Sequence, residues 1–81
     1  MGREYKIRCE PLAGARLSTT LQKLPSPLSR SHRHEIYNFR VDKDGYYLVD
    51  HLIDRSVVAV ALQVFLDAAL SNNQSVLIEE P

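Results

Sequence analysis

The sequence predicts a small α+β domain, and three observations lead to this prediction. The chain has 81 residues, 44% of them hydrophobic, which suits one compact core rather than a disordered chain. Several short segments alternate apolar and polar residues with the period of a half-buried strand. Two longer segments repeat apolar residues every three or four positions, as amphipathic helices do. We therefore expect a single domain over residues 1–81.

The first half of the chain is expected to contain a strand and a helix. Residues 5–10 alternate apolar and charged side chains, which predicts the strand. A helix beginning near Ala13 is predicted by three leucines on one helix face: Leu17, Leu21 and Leu24. Pro25 ends it, because the residue before a proline is pushed out of the helical conformation.

The second half is expected to contain a hairpin, a long helix and a last strand. Residues 35–42 and 46–49 are the hairpin strands, and Asp42-Lys-Asp-Gly45 is the turn between them. The helix is expected from about Arg55 to Ser71, with Asp54 as its N-cap. Residues 75–79 form the last strand. The order β-α-β-β-α-β predicts a ferredoxin-like arrangement, with two helices on one face of a four-stranded antiparallel sheet.

The charges are divided unevenly between the two halves of a chain whose net charge is zero. Residues 1–34 carry seven lysines and arginines against two acids, and residues 35–81 carry three against eight. A basic half of this kind can bind nucleic acid. In the expected fold, however, the first and last strands are neighbours, so that Lys6 and Arg8 lie near Glu79 and the charges cancel in space. Nucleic-acid binding by the basic half is therefore not favoured.

Composition and local patterns also indicate the cellular location and the general class of the protein. Cys9 is the one cysteine, so the chain cannot form an internal disulfide. The N-terminus has no apolar run typical of a signal peptide, and the apolar stretch 57–70 is interrupted and short for a membrane span. We expect a cytoplasmic protein without a membrane segment or cofactor. No nucleophile, base and orienting group occur together, so we expect a non-enzymatic protein.

The second predicted helix is apolar over a wider arc than packing on a sheet requires. At about 100° per residue its apolar side chains cover roughly twice the width of an ordinary core-facing stripe. Either the first helix and loops cover the excess, or it is an interface. We favour an interface to a second copy or to another protein, formed by Ala59, Leu62, Leu66 and Leu70.

The segment Pro25–Glu35 is rich in proline, serine, arginine and histidine and is expected to lie at the same end of the sheet as residues 50–55. A small anion could bind to three arginines there: Arg30, Arg33 and Arg55. A transition metal could bind to three histidines: His32, His34 and His51. The alternative is a solvated polar loop with Asp54 acting only as a helix cap.

Gly45-Tyr-Tyr-Leu-Val49 resembles the third-strand motif of RNA-recognition domains, in which aromatic side chains stack on bases. The resemblance implies that Tyr46 lies on an open sheet face, with Lys6, Arg8 and Arg40 around it. Leu48 stands where the motif has its second aromatic residue. Packing within the sheet is the alternative role for these tyrosines.

Overall fold

The structure, a computed structural model, describes residues 2–25 and 36–81. Four strands and two helices lie in these ranges and form an α+β fold. In chain order they are β1 (Arg3–Arg8), α1 (Gly14–Gln22), β2 (Tyr37–Asp42), β3 (Gly45–Asp50), α2 (Arg55–Asn72) and β4 (Leu77–Glu79).

The four strands form one antiparallel sheet in the order β2-β3-β1-β4. Directly opposite residues share a face of the sheet, so the register assigns each side chain to a face. Ile7 lies opposite Tyr46 on one side and opposite Ile78 on the other. Phe39 lies opposite Leu48, which places it on this same face. This face is the one on which the core forms, since Ile7, Tyr46 and Leu48 are fully buried.

Both helices contribute to a single hydrophobic core on that face. Phe65 of α2 is fully buried, and its ring centroid lies 5.3 Å from that of Tyr46 and 5.6 Å from that of Phe39. Leu17 and Leu21 of α1 are partly buried against the same cluster. The hydroxyl of Tyr46 accepts a hydrogen bond from the backbone N–H of Leu12 at 2.9 Å, in the connection between β1 and α1.

The ends of α2 are held by polar side chains. The carboxylate of Asp54 accepts a hydrogen bond from the N–H of Val57 at 3.2 Å, which confirms the predicted N-cap. At the other end, the amide of Asn73 donates to the carbonyl of Ala69 at 2.8 Å and to the carbonyl of Glu10 at 3.0 Å. These bonds tie the C-terminus of α2 to the end of β1.

The predicted strands and helices are confirmed, with shifted ends. β1 begins at Arg3 instead of residue 5, because its pairing with β3 extends to Arg3 opposite Asp50. β4 is shorter than predicted and includes only Leu77–Glu79. The expected proximity of the first and last strands is confirmed, since Lys6 lies opposite Glu79 in the β1–β4 register.

The charge imbalance between the halves of the chain is largely neutralised in space. Three ion pairs of the described residues join the halves: Arg3 with Glu80, Lys6 with Asp42, and Arg8 with Glu79. The hydrogen bond to Glu79, and then the charge of that carboxylate, raise the pKa of Arg8. Pairing across the sheet therefore removes much of the basic field that the N-terminal sequence alone suggests.

Candidate functional site

The four predicted interface residues lie together on one side of α2, which we call the α2 flank: Ala59, Leu62, Leu66 and Leu70. Ala59 is exposed, Leu62 and Leu66 are half-buried, and 54% of Leu70 is exposed. At about 100° per residue, the four side chains fall within about 80° of the helix circumference. Five of the eighteen residues of α2 are buried: Val58, Ala61, Phe65, Ala68 and Ala69. The apolar excess predicted from the sequence is therefore present on the surface of the described structure.

The first helix lies beside a different side of α2. Clefts between the two helices are lined by Thr20 of α1 and by Lys23, which follows α1. The α2 residues of these clefts are Val64, Asp67 and Ser71. On the helix circumference these α2 residues lie about 95° to 155° from the centre of the α2 flank. Among the described residues, α1 therefore leaves the α2 flank uncovered.

Sequence reasoning missed a cleft beside the α2 flank. It has a volume of about 260 Å³ and lies between β1, the end of β3 and the first turns of α2. Its walls are Tyr5, Asp50, Arg55, Val58, Ala59 and Leu62. The sequence gives no signal for it, because its walls come from three separate elements.

The edge strand β4 also carries exposed apolar side chains that the sequence analysis did not single out. Leu77 is 56% exposed and Ile78 is 45% exposed. Ile78 lies on the helix-facing side of the sheet, opposite Ile7. β4 pairs with β1 on one side, and its other edge has no partner among residues 2–25 and 36–81. The run of three consecutive apolar residues at 76–78 carries the signal for this exposure, because a short edge strand cannot bury both of its faces.

Asp50 is the buried acid of the described structure and organises the connection from β3 to α2. It is 1% exposed, its carboxylate lies 3.0 Å from the guanidinium of Arg55, and it accepts a hydrogen bond from the N–H of Leu52 at 2.7 Å. Leu52 has a φ of 64°, which is uncommon for a leucine and which this hydrogen bond helps to hold. Arg55 is therefore already paired with an acid.

The candidate anion and metal residues are only partly within the described structure. Arg30, Arg33, His32 and His34 lie outside the described residues. The N–H of His51 donates to the carbonyl of Ile36 at 3.1 Å, so the residue just before β2 lies beside the end of β3. The Nε2 atom of His51 lies 2.5 Å from the side-chain oxygen of Asn38. Within the described ranges, no three metal-binding side chains cluster together.

The prediction that Tyr46 lies on an open sheet face is wrong. Tyr46 has no exposed surface, because its position opposite Ile7 directs it into the core. Tyr47 occupies the other face, opposite Lys6, and the guanidinium of Arg40 lies 4.9 Å from the centre of its ring. Lys6 and Arg40 both pair with Asp42, at 3.2 and 3.1 Å. Asp42 neutralises these two cations, and Arg40 already covers the ring of Tyr47. This face is therefore poorly suited to attract nucleic acid and stack its bases.

Cys9 is half-buried and packs against the core, as its alternation with Ile7 predicts. Burial raises the pKa of its thiol, which keeps it protonated and weakly nucleophilic at neutral pH. Its environment favours a packing role.

Comparison of the chain with known proteins gives no match to a family model, to a curated protein or to a solved structure. One described helix, α2, has the length and apolar composition of a membrane span. The core helix of a soluble protein meets the same two criteria, and α2 packs on the sheet through Phe65. The local chemistry of the described residues is thus the basis for assigning a function.

Proposed function

We propose that the protein is a non-enzymatic, cytoplasmic α+β domain of ferredoxin-like topology that associates with a second copy of itself through the α2 flank. Support for the topology comes from the strand order β2-β3-β1-β4 and from its three antiparallel pairings. Support for association comes from one observation, the uncovered apolar surface of α2. Small soluble domains rarely leave such a surface open.

The spacing of the α2 flank suits packing against another helix. Ala59, Leu62, Leu66 and Leu70 follow one another at intervals of three, four and four residues, which keeps them on one seam of the helix. Alanine allows close approach of a partner, and the leucines supply most of the apolar area. Burying one leucine side chain contributes about 1.5–3 kcal/mol.

A two-fold axis through the middle of the seam makes the flank complementary to itself. If the axis crosses the seam at the level of residue 64 along the helix, the two α2 helices run antiparallel, and Leu62 of one copy opposes Leu66 of the other. Leu70 of one copy then reaches the region of Ala59 in the other, where the cleft of about 260 Å³ can receive its side chain. The two-fold axis generates two of these contacts between Leu70 and the region of Ala59, and they lie about 16 Å apart along the helix.

The charges near the helix ends agree with this antiparallel arrangement. The last turn of α2 has no basic residue to offset the negative end of the helix dipole. An antiparallel partner brings its Arg55, whose side chain is 65% exposed, towards that end. The net charge of zero adds no overall repulsion between copies.

The test compares two substitutions of the same kind on one helix. Leu70→Glu places a charge on the flank, whereas Val60→Glu places it on the other exposed side of α2, where Val60 is 48% exposed. We expect the unmodified protein to show twice its chain mass of 9.2 kDa in light scattering and sedimentation. Leu70→Glu should give a folded monomer by circular dichroism, and Val60→Glu should stay dimeric.

Two results would contradict the proposal. One is a monomeric mass for the unmodified protein at every concentration up to the millimolar range. The other is equal dissociation by Leu70→Glu and Val60→Glu, because the α2 flank would then have no special part in association. A monomer would leave an accessory role on a different protein as the alternative, to be sought by co-purification.

A further inference from the structure

Helix α2 lies along β1, one strand in from the open edge of β4. Its first turns line a cleft with Tyr5 of β1. Just after its last residue, the side chain of Asn73 donates to the carbonyl of Glu10 at 3.0 Å and accepts from its N–H at 3.2 Å. Ile7 of β1 is fully buried, whereas Ile78, beside it on the same face, is 45% exposed. The helix therefore covers β1 and leaves the helix-facing side of β4 partly open.

The α2 flank is on the side of α2 that faces this open edge. Around the helix axis it lies about 110° to one side of the buried residues, and the residues facing α1 lie about 120° to the other side. The α1 side is the β2 side, because the hydroxyl of Tyr37 in β2 donates to the carbonyl of Pro25, shortly after α1, at 2.7 Å. β2 and β4 are the two opposite edges of the sheet.

The α2 flank is too small to hold a stable dimer by itself. A standard interface buries about 800 Å² on each partner. Burying a leucine contributes about 1.5–3 kcal/mol at about 25 cal/mol per Å², which corresponds to about 60–120 Å². Three leucines and one alanine therefore supply at most about 400 Å². A dimer formed through the flank needs a second contact, and the exposed Leu77 and Ile78 of β4 lie on the same side of the molecule.

The centre of the flank and the centre of β4 lie at the same level along the molecule. The two-fold axis through the flank crosses α2 about 5 Å beyond the midpoint of Ala59 and Leu62, at about 1.5 Å per residue. These residues line the cleft at Tyr5, and 5 Å is between one and two residues of a strand. The axis therefore passes within about one residue of Ile7, whose partner is Ile78, the middle residue of β4. The hydrogen bonds at the other end of α2 give the same level to within about one residue.

The sheet and the helix layer have matching widths, so one axis can join both layers. Four strands about 4.8 Å apart take about 19 Å, and two helices about 8–10 Å apart take about 16–20 Å. We infer that β4 pairs antiparallel with β4 of a second copy, with Ile78 opposite Ile78, while the two α2 flanks pack above them. The four strands of each copy then form one continuous sheet. This inference rests on the proposed self-association and gives it a second contact.

The charges of β4 agree with such a pair. Glu79 is paired with Arg8 and Glu80 with Arg3 within each copy, so the acids of the two strands meet already neutralised. The N–H and C=O groups on the open edge gain hydrogen-bond partners. The two Ile78 side chains lie on the helix-facing side, where the α2 flanks cover them.

Cysteine cross-linking of the full chain tests this register. The background is Cys9→Ala, because Cys9 is the one cysteine. Ile78→Cys places two Cα atoms about 4.5–5.5 Å apart across the axis, within the range of a disulfide. Leu77→Cys is the matched control, since residue 77 is similarly exposed but its two copies are diagonal neighbours about 7–8 Å apart. We expect mild oxidation to link Ile78→Cys into covalent dimers, and Leu77→Cys at least about tenfold less.

Amide hydrogen exchange tests the pairing without a new cysteine. The β4 amides should exchange at least about tenfold faster in the Leu70→Glu monomer than in the unmodified dimer. The amides of β2, at the other edge of the sheet, should exchange equally in both proteins.

The outcomes separate this inference from the proposal on which it rests. If Leu70→Glu dissociates the dimer but Ile78→Cys does not cross-link, the inference is overturned and association through the α2 flank stands. Equal cross-linking of the two cysteine variants, or equal exchange of the β4 amides in monomer and dimer, overturns it in the same way. A monomeric mass for the unmodified protein at every concentration overturns both.

Discussion

Replacing Tyr46 with phenylalanine tests whether the core is assembled as described. The hydroxyl of Tyr46 accepts a hydrogen bond of 2.9 Å from the backbone N–H of Leu12, and both residues are buried. Tyr46→Phe removes only that oxygen and keeps the ring against Phe65, 5.3 Å away between centroids. The substitution therefore isolates one buried hydrogen bond from the packing around it.

The size of the effect follows from the burial of the donor. Leu12 is 6% exposed, so its N–H is left without an acceptor and largely without water. A buried donor left unsatisfied costs about 1–3 kcal/mol in the free energy of unfolding. For a domain of this size each kcal/mol lowers the Tm by about 4–8 °C, so a mid-range cost of about 2 kcal/mol lowers it by about 8–16 °C.

The same substitution changes the pH dependence of stability. Burial raises the pKa of Tyr46 above its ordinary value of 10.0, although the hydrogen bond from Leu12 opposes this shift. A group whose pKa is raised by folding stabilises the fold below its unfolded pKa, and this contribution is lost as the pH rises through the folded pKa. The unmodified protein should therefore lose stability above about pH 10, and Tyr46→Phe should lose less.

Urea unfolding followed by circular dichroism measures the difference, with an unchanged m-value as the sign that the folded state is intact. Tyr47→Phe is the matched control, because Tyr47 lies on the opposite face and its hydroxyl forms no hydrogen bond with any described residue. It should change the free energy of unfolding by no more than about 0.5 kcal/mol. Equal stability of Tyr46→Phe and the unmodified protein, or equal losses in both variants, would refute the assignment of faces.

Three further substitutions test other parts of the structure. Asp54→Ala removes the N-cap of α2 and should cost about 1 kcal/mol in urea unfolding; no loss would mean that the cap is dispensable. Gly45→Ala should prevent folding, as judged by circular dichroism, because the added Cβ would lie 1.9 Å from the carbonyl oxygen of Ile7, and a folded variant would contradict the turn geometry. Hydrogen bonds from Lys6 and then Arg40 lower the pKa of Asp42 below 3.8, so its contribution is present above about pH 4 and is lost as the pH falls through the folded pKa. Asp42→Asn should therefore flatten the acid limb of a Tm-against-pH series, and an unchanged limb would count against these bonds.

Local patterns carry much of the fold because strands and helices have different periods. The alternation of Tyr37, Phe39 and Val41 and the turn at Gly45 predict the hairpin that the structure contains. The leucine spacing predicts α1, and Asp54 predicts the beginning of α2. Each of these signals comes from residues that are close in sequence and contact one another within one element.

The sequence predicts the order of the elements better than it predicts the face of the sheet that a strand residue occupies. Tyr46 and Tyr47 are adjacent and chemically identical, so alternation alone permits either one to face the core. The register with β1 decides the matter, because Tyr46 lies opposite the buried Ile7 and Tyr47 opposite Lys6. The resemblance to RNA-recognition domains placed Tyr46 on the open face, because the sequence does not show which residue lies opposite it in the sheet.

The amino-acid sequence by itself determined the order of the elements and the unusually wide apolar surface of α2, since both follow from periodicity along the chain. Only the tertiary structure decided that α1 lies beside a different side of α2 and leaves Leu70, on the α2 flank, exposed. Tertiary contacts also decided which charges are paired and that Thr20 and Ser71 line the same cleft between the helices. The physical reason is that pairing and exposure depend on residues distant in sequence, whose proximity arises only when the sheet and helices pack.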